Sequence, residues 1–199
     1  MKIGCILLAA GAGIRFGGGK LTANINGKPV IEYVLDSLPQ TRFSRRVIVA
    51  ANQTLVDAAS PYGFDGVINS KPELGISRSI RLGVGLMSGT DACMFCVADQ
   101  PLLTQETLCG MLDAYTPATI LALSCNGRSG NPVIFPSSLY AELCSLTGDE
   151  SGKTVISRHT DRLRLFPVAD ASQLIDIDTR EDLRDLESRM VASRVSDNP

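Results

Sequence analysis

"LLAAGAGIRFGGGK", Leu7 to Lys20, follows an apolar run that begins at Ile3. Gly11, Gly13, Gly17, Gly18 and Gly19 alternate here with two cations, Arg15 and Lys20. Glycine lets backbone N–H groups come close to an anion, because no Cβ intervenes and positive φ costs little. The loop therefore reads as a phosphate nest with Arg15 and Lys20 at its rim; the rival reading is a glycine-rich turn carrying surface cations. Two familiar phosphate loops fail letter by letter. The dinucleotide fingerprint beginning at Gly11 would put its third glycine at Phe16. The Walker pattern anchored on Gly19-Lys20 needs glycine where Ile14 stands, and Ser or Thr where Leu21 stands. A second near miss, "GDESGKT" from Gly148 to Thr154, is one residue short and follows a helical pattern rather than a strand.

Outward from this loop, strand-like segments recur at Ile3–Ala9, Arg46–Ala51, Gly66–Asn69, Ala92–Ala98, Thr119–Ser124, Pro132–Phe135 and Leu163–Val168. Helical spacing separates them at Pro29–Leu38, Gln53–Ser60, Ser77–Met87, Thr104–Tyr115, Ser137–Leu146 and Thr179–Met190. Ser77, Thr104 and Thr179 are placed as caps. The strands are nearly continuous in Val, Ile, Leu and Ala, which implies burial on both faces. Strand–helix alternation of this kind predicts an α/β fold with a mainly parallel central sheet between helical layers. Ligands of such sheets sit beyond the carboxyl ends of the strands. The segments to watch are therefore Gly11–Lys20, Asn69–Ser79, Asp99-Gln100-Pro101, Asn126–Asn131 and the stretch holding Asp176 and Asp178.

The 199 residues suit one domain, expected over 1–190, with a polar, flexible tail over 191–199. Nineteen Lys and Arg against 21 Asp and Glu leave a net charge of -2. That balance offers no broad basic surface, so nucleic acid is not an expected partner. No stretch approaches the apolar length of a membrane span, and Met1-Lys2-Ile3 runs straight into a strand pattern without a signal-peptide cleavage region. The expectation is a cytoplasmic protein that does not engage a membrane. Six cysteines are scattered. Cys93 and Cys96 have metal-site spacing, but on a strand such positions face opposite ways, and one pair is too few for structural zinc. They read as ordinary buried thiols.

Several segments together carry a family resemblance. "LLAAGAGIRFGGGKLTANINGKPVIEYVLDSL" resembles the signature of the MobA-like nucleotidyltransferases, in particular the molybdenum cofactor cytidylyltransferase branch. "NSKPELGISRSIRLG", "FCVADQPLLT", "GRSGNPVIF", "GDESGK" and "IDIDTREDL" follow in that family's order, so the likeness runs from about Ile3 to Leu186. It implies a Rossmann-like three-layer fold and transfer of a nucleoside monophosphate from a triphosphate to a phosphate of an acceptor, releasing pyrophosphate. In the cytidylyl branch the donor is CTP, and the acceptor is molybdopterin or its molybdenum-bearing form. The product serves molybdenum hydroxylases, one of which would be the recipient. The guanylyl branch carries Leu-Ala-Gly-Gly where this chain has Leu8-Ala9-Ala10-Gly11, which tips the donor from GTP towards CTP. Two departures from the pattern are Asn131, where relatives carry histidine, and Arg180, where proline is common.

The resemblance assigns roles residue by residue. Arg15 and Lys20 hold the triphosphate and the departing pyrophosphate, and Lys28 adds positive field or is merely a solvated turn residue. Asp99 binds Mg²⁺. A second carboxylate comes from Asp176 or Asp178, which share a face of an extended segment; the closing motif favours Asp178, which could instead cap the last helix. Ala9, Ala10, Gly11 and Gly13 lie against base, ribose and phosphate, while Asn69, Gly75, Ser77 and Ser79 add hydrogen bonds, with Ser77 also serving as an N-cap candidate. Gly130, Asn131, Pro132 and Asp149 face the acceptor. An acceptor phosphate is already anionic, so no general base is required, and the lone His159 in "SRHTDR" reads as a surface residue. Two rivals stay open: the same chemistry on another phosphorylated small molecule, and a non-catalytic carrier that delivers cofactor.

Overall fold

The computed structural model describes residues 1–11 and 13–196. Its chain order is β1 (Ile3–Ala9), β2 (Asn24–Ile25), β3 (Lys28–Pro29), α1 (Val30–Ser37), β4 (Arg45–Ala50), α2 (Gln53–Ala59), β5 (Asp65–Ile68) and α3 (Ile76–Gly85). There follow β6 (Ala92–Val97), α4 (Gln105–Ala114), β7 (Ile120–Cys125), β8 (Arg128–Pro136), α5 (Tyr140–Ser145), α6 (Gly152–Arg158), β9 (Leu163–Pro167) and α7 (Arg180–Ser196). All seven strand segments read from the sequence join one sheet, in the order β5-β4-β1-β6-β8-β7-β9. The β2–β3 pair forms a separate small ribbon.

β5, β4, β1 and β6 run parallel, so their carboxyl ends emerge on one edge. β8 runs antiparallel to both β6 and β7, and β9 is parallel to β7. The antiparallel turn has a local cause. Asn126 and Gly127 both take positive φ, 50° and 75°, the mirror-image turn that joins adjacent strands in two residues. The expected mainly parallel, three-layer α/β architecture is what forms.

Alternation along the strands fills two cores. On β6, Ala92, Met94 and Cys96 enter one core with α1, α2 and α4 side chains, while Cys93 and Phe95 enter the other with α3, α5 and α6. The CxxC pair is thus split across the sheet, and all six cysteines are free thiols. Burial raises the Cys93 thiol to about 12, so it stays protonated.

Helix boundaries differ from the sequence reading in three places. Ser77 does not cap α3: the residue before that helix is Gly75, with no side-chain cap. α6 was not anticipated; its sequence, Gly152-Lys153-Thr154, reads as loop. A capping box starts it: Ser151 Oγ accepts from the Lys153 N–H (3.3 Å), and Thr154 Oγ1 accepts from the Ser151 N–H (3.4 Å). α7 continues through the segment expected as a tail as far as Ser196, and residues 197–199 lie outside the described residues. Among the described residues, no helix is long and apolar enough to cross a membrane.

Candidate active site

The glycine loop leaves β1 at its carboxyl end, between the ends of β4 and β6. Gly13, Gly17, Gly18 and Gly19 all take positive φ, between 57° and 89°, a path that side-chain-bearing residues resist. The Gly13 carbonyl accepts from the N–H groups of Phe16 (3.0 Å) and Gly18 (3.3 Å), folding the loop over on itself. Ala12 lies outside the described residues. Phe16 anchors the loop. Its ring is 2% exposed, packed with Ile25, Val30, Ile177 and Leu186, with the Arg180 guanidinium 5.0 Å above it. Burying such a ring is worth about 1.5–3 kcal/mol, so the glycines bend while Phe16 holds.

This anchoring points the two loop cations at two carboxylates. Lys20 donates to Asp99 Oδ2 at 2.6 Å and lies 3.6 Å from Asp178 Oδ1. Arg15, its side chain 74% exposed, reaches Asp178 Oδ2 at 2.9 Å. Asp99 is carried by the end of β6: the Ala98 N–H continues the ladder to the Leu8 carbonyl, and Pro101 ends the extended run two residues later. The Ile177 N–H donates to the Asp99 carbonyl at 3.0 Å, which ties the second acidic segment to the first.

Asp178 does not cap α7. That task falls to Thr179 and Asp182: Thr179 Oγ1 accepts from the Asp182 N–H (3.1 Å), and Asp182 Oδ2 accepts from the N–H groups of Thr179 (2.7 Å) and Asp178 (2.9 Å). The Asp178 carboxylate is thereby left for Arg15 and Lys20. Asp176 points differently. It lines a separate cavity, and burial, reinforced by the nearby Asp99 charge, raises its carboxyl above the ordinary range.

Two cavities that share Ile76 lie at this end of the sheet; Lys20 and Asp99 line the smaller. The smaller, about 260 Å³, is lined by Ala9, Ala10, Gly11 and Lys20 from the loop side, and by Asn69, Gly75, Ser79 and Asp99. Gly13, Arg15 and Ser77, expected in the same group, are not in its wall. Ser77 is buried at the start of α3, and its backbone N–H donates to the Gly148 carbonyl at 3.2 Å. Asn69 spends its amide within the protein. Its nitrogen donates to Ser79 Oγ (3.0 Å), and its oxygen accepts from the Lys71 N–H and Arg78 Nε. It brackets the turn into α3, so its polar groups are largely committed before any ligand arrives.

The larger cavity, about 870 Å³, takes Gly130 and Asn131 from β8, Ser151 and Lys153 from the start of α6, and Gln100 and Asp176. Ile76 belongs to both cavities and stands between them. Pro132 does not line the larger cavity. Asp149, grouped with the acceptor residues from sequence, lies in the wall of the smaller cavity instead. Its loop is clasped to the start of α3, where Gly75 takes φ 83° and a Cβ would fall 2.1 Å from the Gly148 carbonyl oxygen. That clasp, invisible in the sequence, carries Asp149 across to the smaller cavity.

Two further expectations change. Lys28 turns away from the cluster: its ammonium pairs with Asp36 and lies 4.5 Å from the Tyr33 ring centroid, both on α1. His159 is partly buried, with its Nε2 2.6 Å from Glu142 Oε2, and it joins α5 to the end of α6. Residues missed from sequence include Leu21, Pro72 and Ile76 in the smaller cavity, and Arg128 and Lys153 in the larger. Hydrophobic wall residues carry no motif, and the two cations sit in segments read as loop.

For a divalent ion, the donor set is all oxygen. Asp99 and Asp178 both reach the Lys20 ammonium, so their oxygens converge on one small region. Among the described residues, no group of three or more His, Cys, Asp or Glu is arranged to hold a metal. Two hard carboxylates that leave the remaining positions to phosphate and water suit magnesium better than a metal wanting a full protein cage.

A model of the MobA-like NTP transferase domain matches residues 5–163. The chain belongs to that family. A Thermococcus kodakarensis protein named "Probable molybdenum cofactor guanylyltransferase" is 29% identical over 97% of this chain and 96% of its own length. A solved nucleotidyl transferase from Methanothermobacter superposes with a TM-score of 0.81 at 20% identity, covering 96% of this chain and 99% of that one. The Mycobacterium tuberculosis protein Rv0371c, solved in complex with manganese, superposes with a TM-score of 0.78 at 23% identity over 94% and 99% of the two chains. This MobA-like chain is accordingly a nucleotidyltransferase, with the three-layer fold of that group.

Proposed function

We propose that this enzyme transfers a nucleoside monophosphate, from CTP or GTP, to the phosphate of molybdopterin or its molybdenum-bearing form. One observation carries the reading. Arg15, Lys20, Asp99 and Asp178 form a single ion-pair cluster; Lys20 and Asp99 line the small cavity, while Gln100 and Asp176, close in sequence to Asp99 and Asp178, line the large one, which suits one substrate on each side. An oxygen of the acceptor phosphate attacks the α-phosphorus, the bond from that phosphorus to the bridging β-oxygen breaks, and pyrophosphate leaves. The nucleophile is already charged, so the transfer needs no general base. Lys20 and Arg15 neutralise the polyphosphate and align it for in-line attack. Asp99 and Asp178 would hold magnesium, which when bound supplies positive charge to the phosphate oxygens. The manganese of the mycobacterial relative agrees with a divalent ion in this fold.

The donor has support on two sides. The name of the Thermococcus relative favours GTP. Ala10 favours CTP: its buried methyl lines the small cavity where the guanylyl branch carries glycine, leaving less room for a purine. For the acceptor, the relative's name, which gives the molybdenum cofactor, supports the molybdenum-bearing form. A carrier role fits less well, because delivery alone has no use for two cations set against two carboxylates.

The test is pyrophosphate release from each of the four nucleoside triphosphates, with magnesium and molybdopterin present. Release with CTP or GTP, dependent on molybdopterin, is the expected result. Binding of both substrates without release would replace transfer by carriage.

A further inference from the structure

Asp149 and Glu150 adjoin in one turn but are used differently. The Glu150 carboxylate accepts from the Thr147 N–H (2.9 Å) and Thr147 Oγ1 (3.0 Å), and it pairs with Arg158. Among the described residues, no hydrogen bond or ion pair engages the Asp149 carboxylate. The turn that carries it is nonetheless pinned on both sides. The Glu150 N–H donates to the Thr147 carbonyl (3.0 Å), and the Gly148 carbonyl accepts from the Ser77 N–H (3.2 Å). Asp149 Oδ1 lies beside Gly75, 2.8 Å from where a Cβ on that residue would stand. An unpaired carboxylate is thus held ready in the wall of the smaller cavity.

Its partner follows by elimination. Other polar side chains of that wall are committed: Lys20 to Asp99, and Asn69 to Ser79, the Lys71 N–H and Arg78. A phosphate does not suit Asp149, because two anions at close range repel. Nor does Asp149 join Asp99 and Asp178 as a third ion ligand, since among the described residues no three such groups are arranged to hold a metal. An uncharged hydrogen-bond donor remains, and an ionised carboxylate is a strong acceptor for one. We propose that Asp149 binds the nucleoside half of the donor nucleotide, accepting from an uncharged donor group there, and does not contact the acceptor. This rests on the smaller cavity being the donor site. Two parts of a nucleoside supply that chemistry: the ribose hydroxyls, and the exocyclic amino group of cytosine or guanine. Lys20 and Asp149 then give the cavity a direction, with the polyphosphate at the cation and the uncharged half at the unpaired carboxylate.

The test is calorimetric titration of the full chain with magnesium and no acceptor, using CTP, UTP and 2′-deoxy-CTP, and in parallel GTP, inosine triphosphate and 2′-deoxy-GTP. Wild type should prefer the ribonucleotide over its deoxy form, or the amino-bearing base over its amino-free counterpart, by about tenfold. Asp149→Ala should weaken binding of the preferred nucleotide by about tenfold and erase that one preference. Loss of the ribose preference assigns the hydroxyls, and loss of the base preference assigns the amino group. The sign of the change is decisive. A carboxylate that merely stands near a polyphosphate repels it, so its removal would tighten every triphosphate alike. That result overturns the inference, and so does uniform weakening with both preferences kept. Should Asp149→Ala fail to fold, as judged by thermal melting, Asp149→Asn carries the comparison: it keeps an acceptor oxygen without the charge and should show a reduced preference. An undiminished preference in that variant, or a wild type with neither preference, also overturns the inference. If wild type binds no triphosphate at all, the donor reading of the cavity fails as well; if it binds them, only the role of Asp149 is at stake.

Discussion

The two cavities are built by different means. The smaller is made from loop backbone, small residues and ion pairs: Ala9, Ala10 and Gly11 at the end of β1, with Lys20 locked to Asp99. The larger is made from side chains on β8, α3, α5 and α6, apolar over much of its wall, with a few polar groups. Chemistry common to a reaction class needs fixed charge and close backbone approach. Choice among acceptors needs adaptable side chains. In the proposed reading the fold separates these tasks, and the two cavities share Ile76.

Removing charge from the small side should do the most damage. Asp99→Ala should lower magnesium-dependent turnover by about 10³-fold and raise the magnesium concentration needed for half-maximal rate. Turnover unchanged at ordinary magnesium would mean that the metal binds elsewhere. Lys20→Ala should cost about 10²–10³-fold in kcat with the circular dichroism spectrum retained. If kcat held and only the KM for nucleotide rose, Lys20 would be a ground-state binder, and the contrast between a charged reaction pole and an adaptable acceptor pole would blur.

A smaller effect comes from the clasp between the two sides. Gly75→Ala would put a methyl against the Gly148 carbonyl at positive φ, so the start of α3 or the Gly148-Asp149 loop must move. We expect a loss of about 1–3 kcal/mol in unfolding free energy, read by urea denaturation, and a raised KM for nucleotide. An unchanged KM would show that the clasp does not shape the small cavity. The least effect should follow Glu142→Gln, beyond the large cavity. His159 and Arg158 hold the Glu142 carboxyl below its ordinary range. A depressed acid stabilises above its unfolded value, and the contribution disappears as pH falls through the folded one. The pair is partly exposed, so the variant should lose under about 1 kcal/mol near neutrality and the difference from wild type should vanish in acid. Constant destabilisation across that range would point to packing instead.

How much of this was legible in the sequence follows the same division. Buried strands announce themselves because both faces must be apolar, and each of the seven segments was found within a few residues. β8 is expected from Pro132 but starts at Arg128: Arg128 and Ser129 are exposed and Gly130 and Asn131 half-buried, so this start carries no apolar signal. The Asn126-Gly127 pair that forces the hairpin could have revealed it. The glycine loop and both acidic motifs were readable because their chemistry dictates residue type. Directions were not. Lys28 turns to Asp36 only once α1 has folded, and Asp149 reaches the small side only through the Gly148 clasp. α6 escaped notice because a short helix with Gly152 in its first turn carries little propensity. The large cavity was the least legible part, since its wall is assembled from residues distant in sequence.

Diffraction from crystals holding a non-hydrolysable CTP or GTP analogue with magnesium would test the central arrangement most directly. The triphosphate should lie along the glycine loop between Arg15 and Lys20, with the ion bound by Asp99 and Asp178. A triphosphate seated in the larger cavity, or an ion away from both carboxylates, would contradict it.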